Sequence, residues 1–384
     1  MHLKTTGKIL LVTRNFPPLM GGMEKLIFNV FNQLKNHFNV KIVGPKGCED
    51  FSDRRVLYTF PHEPAWKFLI TCQFTTFRGV TSYRPDLIIS GSGLTVPAAM
   101  IAGKFFNTPV ITYLHGLDIV TNSKIYQNFF IPLIRCCDGI VVNSSYTALL
   151  AQKIGIENSK IHILHPGTHI PHGFNNRKSS NEFRETINAG KRPLLLSVGR
   201  LTERKGIFEF LENCMDDIIA TVPKILLVII GGDAEDAVNS SSGMAAKIKN
   251  LINLKGFSRH VLMLGKVSDK KLHQAYASSN LLIFPILEQP GDVEGFGMVA
   301  IEAAAHGLPT VAFAAGGVTD AVKDGRSGYL IEPGRYDRFS EVIIDLLQSR
   351  STSISETCRE FAELFSWPIF GKKLFKVCNT YISN

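Results

Sequence analysis

No run of apolar residues in the 384-residue chain comes near the length of about 18 that a membrane-crossing helix needs. The opening stretch, "MHLKTTGKILLVTRNFPP", reaches Arg14 after too few apolar residues for a secretory leader, so the expected setting is cytoplasmic. Cysteine is sparse and unpatterned. The seven cysteines are odd in number, with no C-x-x-C and no Cys/His ligand spacing, which argues against a disulfide framework or a zinc site and for a reducing compartment. Internal repeats and low-complexity tracts are missing too. Acid is short in one half only: residues 1–190 hold 11 Asp and Glu against 20 Lys and Arg, whereas residues 191–384 hold 22 of each. The whole net charge of +9 therefore lies in the first half. Unless it is plain solubilising charge, that asymmetry points to an anionic partner such as a phospholipid surface, a lipid phosphate or a nucleic acid.

What is present is alternation. Short β-branched apolar runs at 8–13, 40–44, 86–90, 109–115, 139–144 and 160–166 read as strands buried on both faces of a parallel sheet, with helical spacing between most of them. A polar stretch then intervenes, and the alternation restarts at 193–199, 224–232, 260–265, 280–286, 309–314 and 328–333. The expected fold is α/β with two doubly wound, Rossmann-like domains facing a central cleft. Residues 1–170 would form the first, 171–190 a linker, 191–365 the second, and 366–384 a helix crossing back to the first.

The chemical motifs follow strands, where open parallel sheets bind ligands. In "NFPPLMGGMEKL", Gly21 and Gly22 open a helix whose backbone N–H groups can approach an anion, although a tight turn explains them equally. His115 of "HGLD" ends a strand and points at the cleft, unless it is a satisfied structural histidine. In "SVGRLTERKG" a strand ends at Gly199, and Arg200 and Lys205 follow as two cations able to clamp a diphosphate, unless they form only a solvated basic turn. "EGFGMVAIE" places Glu294 and Glu302 around a glycine turn. A helix starting near Gly295 would attract a phosphate to its N-terminus and set the two carboxylates about 12 Å apart along its axis. That separation suits the two ends of a sugar–diphosphate–ribose ligand.

These motifs in this order, with "GLPTVAFAAGG" and "FSW" (Phe365 to Trp367) behind them, closely resemble the retaining glycosyltransferases of family 4, which have the two-domain GT-B fold. "GDVEGFG" is further similar to the phosphatidylinositol mannoside mannosyltransferase branch, which uses GDP-mannose. The resemblance implies a hexosyltransferase. Its nucleotide-sugar donor would be GDP-mannose, or else a UDP-sugar, and its acceptor a lipid-linked species or a glycan of the cell envelope, with no nucleic acid involved. Arg200 and Lys205 would bind the diphosphate, Glu302 the ribose and Glu294 the donor sugar. Phe296 and Gly297, beside Gly295, would cap the β-phosphate through their N–H groups, with Gly22 touching it from the other domain, and His115 would contact the transferred sugar. The base would rest near Gly265, Lys266 and Val267. With those cations no metal is required. Asp320 stands where relatives usually have Glu, and "GGDAED" where they commonly read Gly-Asp-Gly-Pro; both touch the donor's identity rather than the core chemistry.

Two alternatives share the fold: a UDP-sugar 2-epimerase and a non-catalytic nucleotide-sugar-binding protein. A dehydrogenase is disfavoured, because "GSGLTV" (Gly91 to Val96) lacks the third glycine of the dinucleotide fingerprint. In the basic half, "PAWKFLITCQFTTFRGVTSYR" spaces Trp66, Leu69, Ile70, Phe74 and Phe77 helically, with Lys67, Arg78 and Arg84 around them. Such a helix would bind an anionic membrane peripherally, at its inner face, or else fill the core of the first domain.

Overall fold

Parallel strands make up both sheets of the chain in the computed structural model, which describes residues 7–171, 177–233, 243–349 and 353–382. Contacts divide it into two units. One takes in the chain up to Gly167 together with Pro290–Gly295 and the C-terminal segment from Trp367; the other comprises Thr168–Gln289 and Phe296–Ser366.

The first unit holds β1 (Lys8–Val12), β2 (Asn39–Pro45), β3 (Val56–Phe60), β4 (Leu87–Ser90), β5 (Val110–Leu114), β6 (Gly139–Val142) and β7 (Ile161–Ile163), in the order β3-β2-β1-β4-β5-β6-β7. Central strands are buried throughout, as in β4 and β5, because helices cover both faces of a parallel sheet. β3 has no counterpart among the strands expected from sequence. It is an edge strand with only Phe60 fully buried, so it lacks the continuous apolar run that marks its neighbours.

Three helices of this unit matter below: α1 (Gly22–Leu34), α2 (Ala65–Tyr83) and α3 (Val96–Phe106). On α2, Phe68, Cys72, Thr76, Gly79 and Val80 form the buried face. Trp66 and Phe74, by contrast, are 66% and 68% exposed, with Leu69 and Ile70 also on the surface. Core filling therefore does not account for the apolar spacing of this helix, which has apolar residues on both its buried and its solvent sides. Phe77 joins the two helices, its ring lying 5.3 Å from Phe105 and 5.2 Å from Phe106 of α3.

The second unit holds β8 (Leu194–Val198), β9 (Leu226–Ile230), β10 (Val261–Gly265), β11 (Leu281–Phe284), β12 (Thr310–Phe313) and β13 (Gly328–Ile331), in the order β10-β9-β8-β11-β12-β13. Its helices include α4 (Arg177–Thr186), α5 (Ile207–Asn213), α6 (Met244–Leu254), α7 (Asp269–Ser278) and α8 (Met298–Ala305). The polar stretch expected as a linker carries α4, whose Phe183 is buried with Tyr276 and Leu282. Arg184 pins it further, donating from Nε and Nη2 to the Ser278 carbonyl at the end of α7, at 3.1 and 2.7 Å, a favourable place for a cation.

The last helix, α9 (Trp367–Ile382), belongs to the first unit and lies on α1. Its Phe375 ring is 4.8 Å from His37 and 5.4 Å from Phe38, and Tyr381 Oη is 2.8 Å from His162 Nε2. No described helix is long and apolar enough to cross a membrane.

Candidate functional site

In the second unit the strand order reverses between β8 and β11, the place where open α/β sheets open a ligand crevice at their carboxyl ends. Three strands there end in glycine turns knitted by backbone hydrogen bonds. Gly199 N–H donates to Ile230 O at 3.0 Å, Leu201 N–H to Gly232 O at 2.9 Å, and Gly231 N–H to Gly265 O at 2.9 Å. Gly231 has φ of +140°, and a Cβ there would collide with the Gly199 carbonyl, so this turn admits only glycine. Asp233, the acid of "GGDAED", accepts from Ala245 N–H at 2.8 Å and Gly243 N–H at 3.3 Å, and so caps α6. Ala234, Glu235 and Asp236 of that motif lie outside the described residues.

Arg200, directly after Gly199, is exposed. Lys205 closes a short 3-10 turn, Glu203–Lys205, and reaches back over the sheet: its Nζ lies 4.9 Å from the centre of the Phe284 ring, at the end of β11, and its stem runs past Gly199. Lys205 thus stands at the reversal between β8 and β11. The start of α8 meets the same ring, for a side chain at Gly297 would come within 2.9 Å of Phe284. Gly297, at φ +96°, is the N-cap of α8, with no side-chain cap and no acid in the first turn. An ammonium group and a helix N-terminus gathered at one ring are the kind of pair that suits a polyanion. On the other side of the turns Lys266, exposed, lies along Gly232, and Val267 follows it half-buried.

The helix begins at Met298 rather than near Gly295, because Gly297 in a left-handed conformation cannot continue a helix backwards. Glu294 is consequently not on α8, and the axial separation of about 12 Å expected between it and Glu302 does not apply. Glu294 and Gly295 group with the first unit, Phe296, Gly297 and Glu302 with the second.

Glu302, in the second turn of α8, accepts a hydrogen bond from Tyr276 Oη at 3.1 Å. Burial, reinforced by the Glu302 charge, pushes the Tyr276 phenol well above its ordinary pKa, so it remains a donor. His306 Nδ1 is 2.8 Å from the Glu302 backbone carbonyl, and His273 Nδ1 is 3.0 Å from His306 Nε2. Since a carbonyl only accepts, His306 carries its proton on Nδ1 and accepts from His273 at Nε2. Burial lowers the His306 pKa to about 4, and the Glu302 carbonyl contact only partly opposes it.

In the first unit His115 closes β5, is 6% exposed, and donates from Nε2 to the Gly91 carbonyl at 2.9 Å. Gly295 sits against the His115 carbonyl, and a Cβ on it would lie 2.7 Å from Asn143 Nδ2, a close approach that excludes any side chain there. Gly21 is the N-cap of α1 and Gly22 its first residue, but the pole is partly filled: Glu24 lies in the first turn, with one oxygen against Gly21 and the other accepting from Asn15 Nδ2 at 2.7 Å. The "GSGLTV" turn is self-occupied as well, since Gly93 N–H donates to Asp118 Oδ2 at 3.1 Å.

The structure thus collects Gly199, Arg200, Lys205, Gly265, Lys266, Val267, Phe296, Gly297 and Glu302 in one unit, and Gly21, Gly22, His115, Glu294 and Gly295 in the other. Sequence reasoning missed Phe284, Tyr276, His273, His306 and Glu24. Only Glu24 had a local signal, as an acid in the first turn of a helix.

Two family models match the chain in tandem: "Glycosyltransferase Family 4" over residues 20–170 and "Glycosyl transferases group 1" over residues 179–364. Among curated proteins it is similar to the GDP-mannose-dependent alpha-(1-6)-phosphatidylinositol monomannoside mannosyltransferase of Mycobacterium tuberculosis, at 24% identity over 96% of this chain and 97% of that one. It is also similar to the D-inositol 3-phosphate glycosyltransferase of Mycolicibacterium smegmatis, at 26% identity over 77% of this chain and 68% of that one. Among solved structures, HepE of Anabaena in complex with UDP and glucose superposes with a TM-score of 0.81 at 19% identity, covering 98% of this chain and 100% of that one. Sucrose-phosphate synthase of Thermosynechococcus elongatus gives 0.78 at 19% identity, covering 98% and 100%.

Proposed function

The chain belongs to the family 4, group 1 glycosyltransferases of GT-B fold, and we propose that it moves a hexose, with retention of anomeric configuration, from a nucleoside diphosphate to a lipid-linked or glycan acceptor of the cell envelope. The observation that carries this reading is the positive pole at the strand reversal, where Lys205 and the N-terminus of α8 meet the Phe284 ring. Negative charge grows on the departing diphosphate as the bond from the sugar C1 to the β-phosphate oxygen breaks. Lys205, Arg200 and the amides from Phe296 onward stabilise that charge. The acceptor hydroxyl oxygen bonds to C1 on the face the diphosphate leaves, and its proton passes to the β-phosphate oxygen. No divalent metal enters this step. Glu302 takes the ribose hydroxyls, Glu294 those of the sugar, and the turn at Gly265 to Val267 the base.

GDP-mannose is the favoured donor, supported by the mannosyltransferase relatives, with a UDP-sugar as the competitor, supported by the UDP-bound structural neighbours. A thermal-shift panel of nucleotide sugars tests both parts, since a ligand at 100 times its dissociation constant adds about 2.7 kcal/mol. The largest shift should come with GDP-mannose. A larger one with a UDP-sugar overturns the donor, and no shift with any nucleotide sugar overturns the site.

The acceptor reading extends to a membrane. Exposed Trp66, Ile70 and Phe74 on α2, Phe105 on α3, and Ile125 and Phe129 in the helical segment that follows form apolar surface on the unit that holds the basic excess. Lys67, Arg78, Arg84, Lys104 and Lys124 are exposed on the same elements. Apolar insertion with basic flanks suits a peripheral contact with an anionic leaflet, each basic residue adding about 1 kcal/mol.

A further inference from the structure

Glu302 is not held by its own helix alone. Tyr276 reaches it from α7, 26 residues away in sequence, and is 2% exposed, so its hydroxyl cannot turn to water. The tyrosine is itself fixed from two sides. Its ring packs in the apolar cluster with Phe183, Leu282 and Leu308, and the His306 imidazole stacks on it at 5.2 Å and 29°. His306 is anchored in turn by its Nδ1 bond to the Glu302 carbonyl and by the His273 donor at Nε2. The carboxylate, the phenol and the imidazole form one closed unit on which each member limits the others' rotamers.

We propose that Tyr276 is a positioning residue for the nucleotide's ribose. By donating to Oε2 it fixes the Glu302 carboxylate in the orientation that accepts from the vicinal ribose hydroxyls. This rests on the reading of Glu302 as the ribose ligand. A carboxylate offers about four lone-pair sites, so the tyrosine donor does not exhaust it, and a diol needs two acceptor sites at set angles. A carboxylate free to rotate would pay the ordering cost on binding; one already held does not.

The test is a cycle between one hydroxyl on the protein and two on the ligand, read by titration calorimetry on the full chain. The probe is GDP or UDP, whichever binds the wild type more tightly, with its 2′,3′-dideoxy analogue. The wild type should bind the parent nucleotide at least tenfold more tightly than the dideoxy form. Tyr276→Phe should bind the parent about five- to tenfold more weakly than the wild type does, and the dideoxy form equally well. In turnover the loss should fall on KM for the donor rather than on kcat. An equal loss on both nucleotides means a general disturbance of the fold and overturns the inference, as does no loss on either. A wild type that binds both nucleotides alike, with Glu302→Gln also unchanged, overturns the ribose reading itself and the inference with it.

Discussion

Replacing Lys205 by alanine separates what the ammonium does for the fold from what it does for the reaction. In the folded protein it makes a cation–π contact with Phe284 at 4.9 Å, worth about 0.5–1 kcal/mol at a half-exposed position. Loss of that contact by itself corresponds to a fall of only a few degrees in melting temperature. With Lys205 in the proposed role at the leaving diphosphate, the reaction should lose far more. Charge on the leaving diphosphate is greater in the transition state than in the bound donor, so the ammonium's stabilisation appears mainly in kcat. Removing a preorganised group of this kind costs about 3 kcal/mol, or roughly a hundredfold in rate. The N-terminus of α8 remains, which keeps the loss from being total. The assay is nucleoside diphosphate release at saturating donor, beside a melting curve. A variant that melts normally and turns over within about fivefold of wild type would show that Lys205 does not face the developing charge, and the reasoning from the Phe284 ring would fail.

Other expectations follow from the same geometry. Gly231→Ala, forced against the Gly199 carbonyl at a φ that L-residues avoid, should cost about 3 kcal/mol, and an unchanged urea midpoint would contradict the turn. His306 makes stability acid-sensitive: its folded pKa of about 4 lies below the unfolded value of 6.5, so the unfolded chain binds the extra proton first. Stability should fall between pH 6.5 and 4 by roughly 3 kcal/mol from this group, and His306→Gln, made in parallel, should flatten that interval in pH-dependent denaturation. Trp66→Ser combined with Phe74→Ser should cut co-sedimentation with anionic vesicles at least tenfold while leaving the melting curve in place, since both rings are exposed; equal recovery of wild type with neutral and anionic vesicles at low salt would remove the membrane contact. Transfer should survive EDTA, and a loss restored only by a divalent ion would point to a different means of stabilising the leaving group.

Continuous apolar runs such as "LLVII" and "LIIS" announce strands buried on both faces, and every strand of that kind was legible in the sequence. β3 was not, because an edge strand in partial contact with water needs no such run. The glycine turns and cations after the strands of the second unit could be picked out from sequence as well, since such residues there have a local meaning. The meeting of Lys205 and the start of α8 at Phe284 could not. It depends on β8 lying beside β11, a pairing that no spacing along the chain encodes. The start of α8 was misplaced for a related reason: from sequence alone three residues of Gly-Phe-Gly read equally as a first turn or as the approach to one, and only the positive φ of Gly297 decides. On α2 the periodicity was correct while the side that meets water was undetermined, because Trp66 and Phe74 look the same in sequence whether they face a core or a membrane.

The central claim is that the diphosphate leaves and the hexose is transferred with its configuration kept. It is tested most directly by proton NMR of the product formed when the protein is given the nucleotide sugar that stabilises it most, together with a lipid extract. The account predicts one nucleoside diphosphate released for each new glycosidic bond, with the anomeric coupling of the new linkage matching that of the donor. An inverted linkage would contradict retention, and an isomerised nucleotide sugar with no sugar on any acceptor would contradict transfer altogether.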